Sequence, residues 1–171
     1  KLEMINQIGA YSLFICLFAS VYLIFKSYIS SKNFDKKIDL TFFATLSVQL
    51  FMTILSFFTL VFAFAFSDFS NITVFNNSHS LKPLFYKISG TWGNHEGSLL
   101  LWLLVLTFFL FIFFVTSKKM SLRYRILTIL FQEIIILGFL LFILFTSNPF
   151  LNIFPIQDEG LGLNPILQDP A

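Results

Sequence analysis

The chain has a single cysteine, Cys16, among its 171 residues. No internal disulfide and no CxxC redox or metal site can form within it. Cys16 sits inside an apolar run and reads as a small buried apolar side chain. Charge is scarce too: 12% of residues are Asp, Glu, Lys or Arg, against about 25% in an ordinary soluble domain. That is too little polar surface to face water on every side, so a lipid bilayer is the expected solvent. The basic residues form no stripe with interleaved aromatics, and nothing points to a nucleic-acid surface. GxSxG, P-loop, GxGxxG and HExxH patterns are absent, which leaves no self-sufficient catalytic constellation. The only histidines are His79 and His95. His95 and Glu96 side by side are one His and one Glu, too few for a zinc site, which takes three or four protein ligands.

What the chain has in abundance is phenylalanine, 26 residues of it, in a sequence that is 57% hydrophobic with a mean hydropathy of +0.84. Ile, Lys and Asn are plentiful while Ala, Gly and Arg are sparse, the bias of an AT-rich genome such as a mitochondrial one. Apolar segments 8–29, 40–66, 99–116 and 126–146 are each long enough to cross about 30 Å of hydrocarbon, which takes roughly 20 helical residues. They are expected to be helices, because a lipid-exposed backbone must satisfy its own hydrogen bonds. The fold class that follows is an all-α membrane protein, one membrane domain over 1–171. It has four transmembrane helices, a long external loop at 68–98 and an extended Pro-containing tail at 147–171. The first residue is Lys1, which leads to the expectation that the true start is missing. The first segment is too long for a signal-peptide core and lacks a small-residue cleavage site.

Charge sets the expected topology. Lys26 lies near the end of the first segment, and Lys32, Lys36 and Lys37 follow it, with Asp35 and Asp39. Lys118, Lys119, Arg123 and Arg125 separate the third and fourth with no acid between them. The loop 68–98 holds only Lys82 and Lys87, and the tail has acids but no Lys or Arg. The positive-inside rule puts both basic loops on the matrix or cytoplasmic face and the N-terminus, long loop and tail on the other. Within the long loop, Asn71, Asn76, Asn77 and Ser78 read as turns, Pro83 biases Lys82 away from helix, and Phe85, Tyr86, Ile88 and Trp92 are interface-type residues. Four X-Pro pairs in the tail exclude a long helix and favour an ordered extended segment.

The stretch Trp92-Gly93-Asn94-His95-Glu96-Gly97-Ser98, directly ahead of Leu99-Leu100-Leu101-Trp102, admits two readings. One is a well-capped membrane entry. Asn94 or Ser98 would be the N-cap, Glu96 would complement the helix dipole, and Gly93 and Gly97 would allow tight turns or close approach. Trp92 and Trp102 would then anchor the interface. The other centres on His95 and Glu96 as a site for haem, protons, substrate or a partner. His79 is the only possible second imidazole, and it lies in a polar turn. Glu133, inside the fourth segment, is a functional candidate if it lies at membrane depth. The favoured alternative starts that helix late and leaves Glu133 near the headgroups beside Arg123 or Arg125. Gln49 is a candidate hydrogen-bond partner between helices.

Ser67-Asp68-Phe69-Ser70, Asn77-Ser78, Tyr86-Lys87 and the run from Trp92 to Trp102 resemble the N-terminal part of the CcmF family, the haem lyase subunits of system I cytochrome c maturation. Leu163-Asn164-Pro165-Ile166-Leu167-Gln168-Asp169-Pro170 is similar to a second landmark of that family, in the expected order. The resemblance implies a role in covalent attachment of haem to apocytochrome c, on the outer face of the mitochondrial or bacterial inner membrane. It marks Trp92, Gly93, His95, Glu96, Gly97, Ser98, Trp102, Asn164, Pro165, Gln168, Asp169 and Pro170 as motif positions, and none of them as catalytic. The family's hallmark is a Trp-rich external segment flanked by haem-ligating His. The chain has no such segment and no His in its spans, so the haem cofactor is expected to be held mainly by other parts of the lyase. The resemblance therefore implies a fragment of a split mitochondrial lyase, or a shortened chain. Its partners would be the remaining lyase fragments, apocytochrome c, the haem carrier and membrane lipid. A structural or assembly subunit of a respiratory-chain complex is the first alternative, and a proton-pump or transporter fragment the second.

Overall fold

The computed structural model describes residues 2–33 and 39–162. Asp35, Lys36 and Lys37 lie outside the described residues, as do the motif positions Asn164, Pro165, Gln168, Asp169 and Pro170. Among the described residues there are six α-helices: α1 (Leu2–Asn33), α2 (Asp39–Ala65), α3 (Ile72–Asn77), α4 (Leu84–Gly90), α5 (His95–Thr116) and α6 (Leu122–Phe145). The chain is a multi-pass membrane protein, because four of these helices are long and apolar enough to span a bilayer: Ile5–Lys32, Leu40–Ala65, His95–Lys119 and Leu122–Phe145. α1, α2, α5 and α6 form a ring in which α1 packs on α2 and α6, and α5 on the same two.

A repeat sets the ring. The buried positions of α6 include Ile126, Ile129, Glu133, Ile136, Leu140 and Ile143, and those of α5 include Leu100, Leu103, Thr107, Leu110 and Phe114. On α1 they include Leu13, Cys16, Ser20, Leu23, Ser27 and Ser30, and on α2 Phe42, Leu46, Gln49, Thr53, Ser56 and Leu60. Each seam alternates steps of three and four, the heptad spacing of bundle packing. The seams of α1 and α2 carry Ser, Thr and Cys, small residues that let backbones approach and hydroxyls bond across. Thr53 and Thr107 pair at 3.0 Å, and Ser56 donates to the Gly9 carbonyl at 3.2 Å.

Two expectations for the connections are corrected. The long loop is half helical: Asn76 and Asn77 lie inside α3, and Asn71 is its N-cap, accepting from the Thr73 and Val74 amides. A turn-forming residue type therefore serves here as a helix start. α5 begins at His95, ahead of the expected Leu99, because Asn94 caps it; Ser98 is inside the helix. Pro83 does mark a boundary, with α4 starting directly after it.

The tail after α6 returns across the long loop. Asn152 bridges antiparallel to Asn71. Ile72 donates to Leu151 at 2.9 Å, Ile153 to Ser70 at 2.8 Å and Leu161 to Phe75 at 2.8 Å. Gly9 makes room for this strap: a Cβ there would overlap the Phe150 ring. A buried polar knot ties three segments together. Asn6 donates to Asp68 at 3.3 Å and to Asn152 at 3.1 Å, and Asn71 donates to Asn6 and to the Pro149 carbonyl at 3.1 and 2.8 Å.

Candidate functional site

Asn94 fixes the motif by bonding in two directions. Its Oδ1 accepts from the Gly97 amide at 2.8 Å, capping α5. Its Nδ2 donates to the carbonyls of Gly90 at 2.8 Å and Thr91 at 3.1 Å, satisfying the end of α4. One side chain thus clamps two helix termini. Gly97 is what lets them close: a Cβ on it would overlap the Thr91 carbonyl oxygen. Ser98 donates to the Trp92 carbonyl at 2.7 Å, which holds the Trp92 backbone against the first turn of α5. Glu96 lies in that first turn, where a carboxylate complements the helix dipole.

The clamp opens a depression of about 630 Å³, lined by Asn76 and Asn77 of α3, Trp92 to Glu96, and Ser98. His95 is exposed at its edge. The imidazole is fixed from the far side, with Nδ1 3.3 Å from Ser147 Oγ and its ring edge-on to Phe142, centroids 6.3 Å apart. Those two contacts leave Nε2 as the ring nitrogen not engaged by Ser147. Asn76, Asn77 and Ser147 are the site residues that sequence reasoning missed as such. Asn77-Ser78 was visible only as part of a motif, and no local signal ties Ser147 to His95. Trp102, further along α5, is exposed and does not line the depression.

His79 and His95 are held by different partners. His79 Nε2 lies 3.6 Å from Glu159, whose carboxylate also accepts from the Ser80 hydroxyl and amide. The Ser80 hydroxyl is the main reason Glu159 titrates below the usual carboxylate range. Lys82 donates to the Asn77 carbonyl at 3.1 Å, and partial burial pushes its ammonium below the ordinary lysine value. Among the described residues, no group of three or more His, Cys, Asp or Glu is placed to hold a metal ion.

Glu133 is not at the headgroups. It is fully buried at the centre of the bundle, because it occupies the seam register between Ile129 and Ile136. Its Oε2 accepts from Ser20 of α1 at 2.7 Å and from Gln49 of α2 at 3.1 Å. The expected neighbour Arg125 is a further two turns toward the start of α6, packed over the Phe114 ring at 5.0 Å. Gln49 is thus an interhelical hydrogen-bond partner, and its carbonyl oxygen of the main chain also lies 3.5 Å from the Cys16 thiol.

No protein-family model matches the chain. Individual proteins do. The cytochrome c-type biogenesis protein CycK of Bradyrhizobium diazoefficiens is 42% identical over 168 residues, 97% of this chain and 25% of that protein. The cytochrome c-type biogenesis protein CcmF of Haemophilus influenzae is 37% identical over 174 residues, 97% of this chain and 26% of that protein. CycK of Rhizobium meliloti is 51% identical over 116 residues, 67% of this chain and 17% of that protein. A solved structure of the cytochrome c heme lyase CcmF superposes with a TM-score of 0.79, over 86% of this chain and 25% of that one. At 20% identity, that last match shows a shared fold. The chain spans about a quarter of the length of the relatives that it matches end to end.

Proposed function

This chain resembles the N-terminal part of CcmF in sequence and fold, and on that premise we propose that it contributes to a cytochrome c haem lyase, assisting covalent attachment of haem to apocytochrome c. The observation that supports this most is the depression bounded by Trp92, Asn94, His95 and Glu96. Its walls are set by an interhelical clamp, and its imidazole is aimed by Ser147 and Phe142. A rigid polar surface with one aromatic wall suits contact with a haem edge or with the apocytochrome segment beside it.

The two imidazoles are not paired as bis-histidine haem ligands. Two axial imidazoles would be needed for bis-histidine ligation, and His79 is drawn to Glu159 while His95 is drawn to Ser147. The proposed role of this chain is to supply a surface rather than a ligand. Its part is to bind, orient and shape the surface on which other segments of the lyase hold the cofactor. Those segments, carrying the Trp-rich stretch, are the proposed partners, with apocytochrome c and the haem carrier. The motif positions Trp92, Gly93, His95, Glu96, Gly97, Ser98 and Trp102, and Asn164, Pro165, Gln168, Asp169 and Pro170 of the tail, are proposed to serve that surface.

The loop end of the bundle is proposed to face outward, because the basic connections gather at the other end. The Phe-, Ile- and Asn-rich composition supports placement in the mitochondrial inner membrane, although the relatives named above are bacterial. Depletion of the chain tests the reading. Loss of covalent cytochrome c, with other respiratory complexes assembled, is the expected result. Normal cytochrome c with one respiratory complex missing would favour the assembly-subunit alternative.

A further inference from the structure

At the basic end of the bundle, opposite the motif, α2, α5 and α6 leave a groove of about 470 Å³ lined by Leu40, Phe43, Phe114, Lys118 and Arg125. We propose that this groove binds an anionic phospholipid of the surrounding membrane, the phosphate at Lys118 and an acyl chain along Leu40 and Phe43.

The position and the charge both argue for it. Leu40 opens the second spanning segment, while Lys118 lies at the end of the third and Arg125 in the first turn of the fourth. The groove therefore sits where hydrocarbon meets headgroups. Its wall is apolar and its mouth is cationic, the arrangement of a phospholipid in reverse. Leu40 and Phe43 are exposed on that wall, which water would not favour and an acyl chain would cover.

The two cations differ in role. Arg125 is buried and anchored, donating Nε–H to Ser117 Oγ at 3.2 Å and Nη2–H to the Phe114 carbonyl at 3.3 Å. Those bonds fix it as part of the groove floor. Lys118 is exposed on the turn after α5 and reaches the headgroup as a flexible point charge. Lys119 and Arg123 stand on the same connection, which has no acid from Ser117 to Arg125. Basic pockets between spanning helices are suited to anionic headgroups, and each such cation near the surface contributes about fivefold in affinity.

The test uses the full chain, purified in a neutral detergent, with native mass spectrometry after addition of phosphatidylglycerol, cardiolipin or phosphatidylcholine. The expected result is retention of the anionic lipids over phosphatidylcholine, weakened about fivefold by Lys118→Gln and less by Lys119→Gln. Millimolar inorganic phosphate should not displace them. Equal retention of phosphatidylcholine, or indifference to Lys118→Gln, would overturn the proposal. So would displacement by free phosphate, which would make the groove a simple anion site. A photo-crosslinker at Leu40 gives a second reading in native membranes. Lipid adducts support the proposal, and exclusive capture of a neighbouring protein subunit contradicts it.

Discussion

The Ser20 hydroxyl donates to the Glu133 carboxylate at 2.7 Å, joining the first spanning helix to the last at the middle of the bundle. Gln49 donates to the same oxygen from α2, so three helices meet at one atom. Hydrogen bonds of this kind between spanning helices contribute about 0.6 kcal/mol on average and about 1.7 at most. Ser20→Ala is expected to lower thermal stability in detergent within that range. Glu133→Leu should cost more, since it strands the Gln49 amide in apolar surroundings, while Ser20 keeps the main-chain carbonyl of residue 133 at 3.2 Å. Unchanged melting of both variants would contradict a structural role for the junction.

Asn94→Ala removes the cap of α5 and frees the Gly90 and Thr91 carbonyls, at a cost of about 1 kcal/mol or more. Asn94→Asp keeps the cap and loses only the donor side. The expected order of stability is wild type, then Asp, then Ala, read by hydrogen exchange at the Gly97 and Ser98 amides.

Gly97→Ala should be the most disruptive single methyl in the loop. The added Cβ would overlap the Thr91 carbonyl oxygen, so α4 and α5 must separate and the depression must open. Gly138→Ala is the control, because nothing lies within 4 Å of a Cβ there. A Gly97→Ala variant as stable as Gly138→Ala would show that the close approach is not real.

The Glu159 clasp on His79 and Ser80 gives a pH dependence. Glu159 is depressed in the folded chain, so its contribution is present above the unfolded value of about 4.3 and fades as pH falls through the lower folded value. Protection of the Leu161 and Gly162 amides should therefore drop below that window, after correction for intrinsic exchange. Ser80→Ala should shrink the drop. The same drop in wild type and Ser80→Ala would mean that another group controls the strap.

The spans were legible in the sequence because each apolar segment exceeds what a bilayer needs. What they face was not. Lipid is as apolar as the bundle interior, so hydropathy alone does not separate buried Ile129 and Ile136 from exposed Ile134 and Ile135. Only the three–four spacing does so, and applied to α6 it places Glu133 in the seam. The expectation of a late helix start hid this: α6 begins at Leu122, which sinks Glu133 more deeply. The motif was readable as a cap on Asn94, and the cap is there. Its second function was not readable, because Gly90, Thr91 and Ser147 reach Asn94 and His95 only through the folded chain. Asn71 and Asn77 misled in the opposite direction, since the same amide that makes a turn also starts or sits within a short helix.

The most direct test of the proposed role is covalent haem on apocytochrome c in membranes that carry the whole lyase, with His95→Ala in this chain and its level matched to wild type. Ser147→Ala, which removes only the group that aims the imidazole, is measured beside it. A steep loss of covalent haem in His95→Ala, with a smaller loss in Ser147→Ala, is the predicted result. Full haem attachment by a stably assembled His95→Ala variant would contradict a role for the depression in haem attachment.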